Sequence, residues 1–256
     1  MPSIARIYDC FLDGKDNYEV DRVAAADIEI RKPTVKLAAR ANRAFMRRAT
    51  RYLAAEAGIR QFLDIGAGIP AQPNLHQVAQ EAAPESRVVY VDNDPIVLAH
   101  ARALLYGSPE GRTAYVAADV TAPESILASP ALRATLDLTQ PVALCMFALM
   151  HFVPDTRDPY GVVSTLLAAL APGSYLVMSH GTGDFDPQGT AEAAAEYHRR
   201  GLPMQTRSRD EFTRFFADLD LVDPGVVPPH RWRPDSIPSP ASTDAKVSFY
   251  AAVART

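Results

Sequence analysis

The sequence predicts an α/β fold: a mostly parallel sheet flanked by helices, closed by an antiparallel strand pair and preceded by a helical cap. Three observations predict it. From residue 61 onward, short β-branched runs alternate with helical stretches at the spacing of strand–helix–strand units, which bury a parallel sheet on both faces. The last two strand-like runs, 221–227 and 246–254, are joined by a proline-rich stretch with no helical crossover, so they should pair antiparallel. The first 60 residues lie outside the alternation and carry a long amphipathic stripe instead.

Taken in order, residues 34–57 place Leu37, Ala41, Phe45, Ala49, Tyr52 and Leu53 at helical spacing, and Gly58 stops that helix. The polar, aromatic-spotted segment before it, Arg6 to Tyr18, reads as short helices and loops over the mouth of the sheet. Residues 61–66 form a compact apolar strand ending in Gly-Ala-Gly, 71–83 a helix and 87–92 a second strand. Pro95 opens a helix to about Tyr106, since proline is tolerated where the first-turn amide has no helical partner. Residues 113–119 and 141–148 are the third and fourth strands, 159–170 a helix, 174–180 the fifth strand and 189–200 a further helix. Ser208-Arg-Asp-Glu211 is a capping box before a short helix to about Phe216. This divides the chain into a cap over 1–58 and a ligand-binding body over 59–256, integrated into one globular unit.

Composition narrows the function. The 256 residues are 48% hydrophobic with a net charge of -4, and basic residues are interspersed with acidic ones, giving no footprint for nucleic acid. Cys10 and Cys145 lie far apart with no Cys-x-x-Cys pair, which fits a reducing compartment. The N-terminus lacks the apolar core of a signal peptide, and no run approaches the roughly 20 apolar residues of a membrane helix. The expected location is cytoplasmic.

Asp64-Ile-Gly-Ala-Gly68 follows a strand and precedes a helix. Its glycines Gly66 and Gly68 let the backbone turn sharply and approach a ligand. Asp92 ends the second strand, where an acid can accept hydrogen bonds from two ribose hydroxyls. Asp119 ends the third and either accepts an adenine amine or caps the turn that follows. Asn93 and Val120, the next residue after each acid, complete the expected nucleoside contacts. A dinucleotide fingerprint wants a third glycine where this chain has Ala71, and Pro70 stiffens the loop. Asp64 suits the ammonium of a methionine tail. These features favour S-adenosyl-L-methionine, with S-adenosyl-L-homocysteine as product, over a nicotinamide cofactor.

Beyond these residues, the chain resembles an actinobacterial S-adenosyl methyltransferase family, formerly a domain of unknown function. The matching stretches include Ala5-Arg-Ile-Tyr-Asp9, Leu12 through Arg22, Ala39 through Arg48, Phe62 through Pro70, Val89 through Pro95, His151-Phe-Val-Pro-Asp155 and Pro172-Gly-Ser-Tyr-Leu176. The resemblance implies the seven-stranded, Rossmann-like class I methyltransferase fold with an N-terminal helical cap, and supplies no acceptor. Leu12-Asp-Gly-Lys15 and Tyr250-Ala-Ala252 depart from family glycine pairs at the cap and the last strand.

Methyl transfer to a sulfonium-activated carbon needs alignment above all, and a base only if the acceptor must lose a proton. His151, after the fourth strand, is either a general base or a histidine bonded to backbone. Tyr8, with Asp9, Lys15 and Asn17, forms either a site wall or a solvated loop. Arg40 or Arg43 could grip the cofactor's carboxylate, while Arg47, Arg48 and Arg51 fit a solvent face. Trp232 covers the pocket or anchors the hairpin. Asp184 and Asp186 lack a wider ligand set, so no metal is expected. Neither an Asn-Pro-Pro-Tyr motif nor a Pro-Cys nucleophile is present, which leaves a small-molecule acceptor. The competing readings are a cofactor-binding but catalytically silent regulator and an NAD(P)-dependent oxidoreductase; monomer and homodimer are both open.

Overall fold

A computed structural model of the chain describes residues 1–104, 107–235, 240 and 242–256. Its helices are α1 (Ile4–Phe11), α2 (Glu19–Arg31), α3 (Val35–Ala55), α4 (Leu75–Ala82), α5 (Pro95–Leu104), α6 (Pro123–Leu127), α7 (Pro130–Thr135), α8 (Pro159–Ala168), α9 (Pro187–Arg199), α10 (Arg209–Thr213) and α11 (Ser242–Val247). The strands are β1 (Gln61–Ile65), β2 (Arg87–Asp92), β3 (Arg112–Ala117), β4 (Ala143–Phe147), β5 (Tyr175–Gly181), β6 (Asp220–Leu221) and β7 (Phe249–Arg255). They form one seven-stranded sheet in the order β3-β2-β1-β4-β5-β7-β6. The first five are parallel and β7 runs antiparallel to both β5 and β6, the expected pairing, although a short helix, α11, lies in the connection between β6 and β7. Among the described residues there is no sixth parallel strand, the feature an NAD(P)-dependent reading required.

Alternation along the strands sorts the core into two layers. Leu63, Ile65, Val89, Val91, Leu144 and Met146 face α6–α8 and the aromatic cluster of Phe212, Phe215 and Phe216. Phe62, Val88, Tyr90, Ala143 and Val177 face the other side, covered by α3 residues Phe45, Met46 and Leu53. Trp232 is fully buried there, edge-on to Phe45 at 5.4 Å, so it anchors α3 to the sheet and does not cover the pocket. Arg48 is buried as well, donating to the carbonyls of Trp232 (2.9 Å) and Pro229 (2.6 Å), which corrects its placement on a solvent face. The cap helices α1 and α2 have a separate small core, Ile7, Phe11, Ala24 and Ile28, closed by Ala193 and Tyr197 of α9.

Element limits differ from expectation where side chains or turns decide them. The helix after β1 starts at Leu75 and not at 71, because Asn74 and Gln77 form the capping box four residues further on. Of the expected strand 221–227, only Leu221 pairs, together with Asp220 before it, and Val227 makes one bridge to Ala251, because Pro224 and Gly225 turn the chain in between. Lys246 and Val247 end α11, and Ser248 at φ 47° turns the chain into β7. Residues 121–140, whose sequence shows no clear periodicity, hold α6 and α7, each opened by a proline. The expected helix end near Tyr106, and Pro238, lie outside the described residues.

Candidate active site

The carboxyl ends of β1, β2 and β4 open into a cavity of about 880 Å³ that continues beneath the cap. Asp64, Gly66, Gly68, Asp92, Asn93, Asp119, Val120, Arg43, Tyr8 and His151 all line it, whereas Lys15, Asn17, Arg40 and Trp232 do not.

The glycine loop shows why these positions are glycine. Gly66 (φ 74°) and Gly68 (φ 66°) adopt left-handed backbone, which other residues disfavour. A Cβ on Gly66 would sit 2.7 Å from Leu149 Cδ1, whereas one on Gly68 would project into open space. The loop is held by strand ends: Gly66 N donates to Val91 O (2.8 Å) and Gly68 N to Asp92 Oδ2 (2.9 Å). Asp92 Oδ1 accepts from Asp94 N at 2.9 Å, so this buried carboxylate clamps the loop and keeps further lone pairs for a ligand.

Asp64 is 8% exposed, and among the described residues no protein donor reaches its carboxylate. Burial pushes its carboxyl up to about 7, with nearby Arg43 opposing and Asp92 reinforcing the shift. Arg43 spends one Nη on the carbonyls of Ala71 and Pro73 (2.6 Å for the latter), holding the far side of the loop. Arg40 points away, paired with Asp13 at 2.6 Å. Asp119 is exposed two residues beyond β3; its Oδ1 accepts from Thr121 N and Oγ1 (both 2.8 Å), and Asn93 Nδ2 donates to its Oδ2 (3.3 Å). It caps the turn and still lines the cavity.

The other wall comes from the cap and from the segment after β4. Tyr8 donates its hydroxyl to Ala39 O (3.2 Å) and accepts from Asn42 Nδ2 (2.9 Å), and Asn42 in turn accepts from Ser179 Oγ. Asp9 and Asn17 bond to each other at 2.8 Å and stabilise the 13–17 loop; Lys15 is exposed. Ala148, at φ 52°, bends the chain sharply out of β4 and sends Leu149 toward Gly66. His151 is 3% exposed; its Nδ1 accepts from Gly181 N at 3.3 Å, and burial, with His180 and Arg207 nearby, holds its pKa well below the usual histidine value. A neutral ring whose Nδ1 accepts must carry its proton on Nε2, which makes His151 a hydrogen-bond donor toward the cavity.

Three contributors were missed by sequence reasoning. Arg207 is fully buried and braces the segment around His151, donating to Met150 O (3.1 Å), Val153 O (3.0 Å), Asp155 Oδ1 (2.6 Å) and His180 Nε2 (2.8 Å). His180 is thereby structural, and burial pushes its pKa down to about 3. Lys32, also buried, lines the inner cavity with its ammonium bound to Asp186 and to Ser248 Oγ (2.9 Å). Arg6 ties the cap to the strand edge through Asp21 (2.7 Å) and Asp94 (3.1 Å). No motif marks Arg207 or Lys32, and Arg6 stands out only within the matching Ala5–Asp9 stretch; each is defined by partners distant in sequence. Asp184 and Asp186 are used within the protein, accepting from Arg209 N (2.8 Å) and Gly189 N (3.1 Å).

The whole chain, residues 1–256, matches the S-adenosyl methyltransferase family. Among solved structures, a DUF574 family protein from Streptomyces avermitilis is 52% identical, with a TM-score of 0.97 over 100% of this chain and 97% of that one. A candidate methyltransferase from Thermobifida fusca is 40% identical, with a TM-score of 0.91 over 100% and 95%. The plantazolicin methyltransferase, solved with S-adenosylhomocysteine, shares the fold at 11% identity, with a TM-score of 0.53 over 98% and 95%. Among curated proteins, none matches the chain. With its glycine loop, its strand-end acids and its matched relatives, the chain belongs to the S-adenosyl methyltransferase family, has the Rossmann-like class I fold, and uses S-adenosyl-L-methionine as cofactor.

Proposed function

We propose that the protein is an active methyltransferase that acts on a small-molecule acceptor in the cytoplasm. The observation that carries this reading is the single cavity, which joins the nucleoside crevice at the strand ends to a chamber under the cap. A catalytically silent binder would need only the crevice. Residues 1–58 act in this reading as the cap of one integrated unit.

Bound cofactor supplies a methyl group activated by its sulfonium. Asp92 receives the ribose hydroxyls while clamping Gly68, and Asp119, Asn93 and Val120 border the adenine. Asp64 receives the ammonium of the methionine tail. Arg43 holds the loop through Ala71 and Pro73 and, in this reading, does not need to grip the carboxylate itself. The two residues considered for proton transfer are committed elsewhere: the Tyr8 hydroxyl donates to Ala39 O, and the His151 Nδ1 lone pair is taken by Gly181 N. Catalysis then rests on alignment and exclusion of water, with an acceptor that brings its own reactive lone pair.

Calorimetry with S-adenosylmethionine, S-adenosylhomocysteine and NADH tests the donor side. The first two should bind saturably; submillimolar binding of NADH alone would overturn the reading. Methylation of no compound across a broad acceptor panel, with donor binding intact, would favour the silent regulator.

A further inference from the structure

The inner chamber is walled by α2, α9, residues 202–204 and residues 247–249. Its surface is mostly apolar, with Ile28, Met204 and Phe249 among its lining. Two buried side chains bring unpaired donors to it. His151 presents Nε2–H, as its bond from Gly181 N dictates, and Tyr197, 6% exposed, presents its hydroxyl. Neither atom has a protein partner among the described residues. The two side chains are linked through Phe152, whose ring centroid lies 4.3 Å from that of His151 and 5.3 Å from that of Tyr197. Both residues are buried, yet these two atoms are not among the fully enclosed unpartnered ones, so they open onto the cavity, where a ligand group that accepts hydrogen bonds would meet them.

Polarity narrows the class of that ligand. The charged side chains next to these walls are already paired: the Lys32 ammonium with Asp186, and the Asp9 carboxylate of α1 with Asp16 N and Asn17 Nδ2. With those charges paired, the two N–H and O–H donors decide: an anionic oxygen would accept from both, whereas an ammonium would face the His151 N–H with nothing to offer it.

We propose that the chamber is the acceptor subsite and takes an apolar ring compound bearing an oxyanion, which His151 Nε2–H and Tyr197 O–H receive. The proposal rests on the methyl-donor reading above, and its test separates the two. Protein with and without S-adenosylhomocysteine is titrated calorimetrically with 2-naphthoate and with the cationic 2-naphthylmethylamine. Naphthoate should bind at least about tenfold more tightly than the amine. Tyr197→Phe, which removes only a hydroxyl, and His151→Phe should each weaken naphthoate about tenfold and leave S-adenosylhomocysteine binding unchanged. His151→Gln, which keeps an N–H donor, should recover part of the loss. Failure of S-adenosylhomocysteine to bind sinks the donor reading alone, because the titration without it still probes the chamber. Equal or reversed preference for the amine, or unchanged naphthoate affinity in Tyr197→Phe, overturns the subsite.

Discussion

Lowering the pH from 8 to 6 should weaken S-adenosylhomocysteine binding by about tenfold, because Asp64 must be ionised to receive the ligand's ammonium. In the free protein, burial raises the Asp64 carboxyl to about 7. At pH 8 about nine-tenths of the molecules then carry the carboxylate, and at pH 6 only about one-tenth. Binding should therefore release about half a proton near pH 7, read from the dependence of calorimetric enthalpy on buffer ionisation enthalpy. Asp64→Asn should remove the proton release and flatten the pH profile, with weaker binding at pH 8. The same group works the other way on the unliganded fold. Its folded pKa lies above the unfolded carboxylate value of about 4, so its contribution is fully present below that pH and is lost as the pH rises through 7. The difference in melting temperature between wild type and Asp64→Asn should accordingly change across that window. Equal dissociation constants at pH 6 and 8, with no proton released, would refute the placement of the ammonium at Asp64.

Three further outcomes follow from the geometry. Asp92→Asn turns an amide NH2 toward either Gly68 N or Asp94 N. It should destabilise the fold by about 1.5–3 kcal/mol, a fall in Tm of roughly 3–10 °C, and weaken S-adenosylhomocysteine more than tenfold by calorimetry. Gly68→Ala should cost about 1–2 kcal/mol of stability for its left-handed backbone yet abolish donor binding, since the added methyl enters the open cavity. Gly66→Ala should lose more stability, because its methyl also meets Leu149, and a thermal melt of both variants checks the order. Arg207→Met leaves acceptors on Met150, Val153, Asp155 and His180 without their donor and should lose about 3 kcal/mol in denaturant unfolding, with donor affinity nearly unchanged.

What could be read from the sequence was what local pattern encodes. The apolar runs of β1 and β2, the glycines between strand and helix, and the acids at strand ends all lie within a few residues of the turn they build, so their chemistry is visible without the fold. The antiparallel terminal pair was legible from the proline-rich run between its strands, though the short helix α11 in that connection was not. Arg207 was not legible, because the acceptors it satisfies lie 27 to 57 residues away. Nor was the state of His151. A histidine after the fourth strand suggests a base, but its tautomer is set by one backbone N–H from Gly181, which reaches it only after β4 and β5 pair. Arg48 misled for a related reason: on a helix of arginines, burial depends on which face meets the Trp232 loop, 184 residues on.

Hydrogen bonds tie the cap to the sheet at two places beside the crevice. Ser3 Oγ and Arg6 Nη1 both donate to Asp94 Oδ2, at 2.7 and 3.1 Å. Asp94 N donates to Asp92 Oδ1 at 2.9 Å, and Asp92 Oδ2 accepts from Gly68 N at 2.9 Å. A continuous path of hydrogen bonds thus runs from the first turn of α1 to the glycine loop. On the other wall, Tyr8 of the same helix reaches Ser179 at the end of β5 through Asn42. The N-terminal segment therefore grips the sheet at two strand ends on opposite sides of the cavity. Because groups so linked have discrete arrangements, displacing α1 would disturb Asp92 and the Tyr8–Asn42 wall together. In the proposed reading, cap residues that touch no motif of the sheet still belong to the site, because their hydrogen bonds hold both the donor crevice and the wall opposite it.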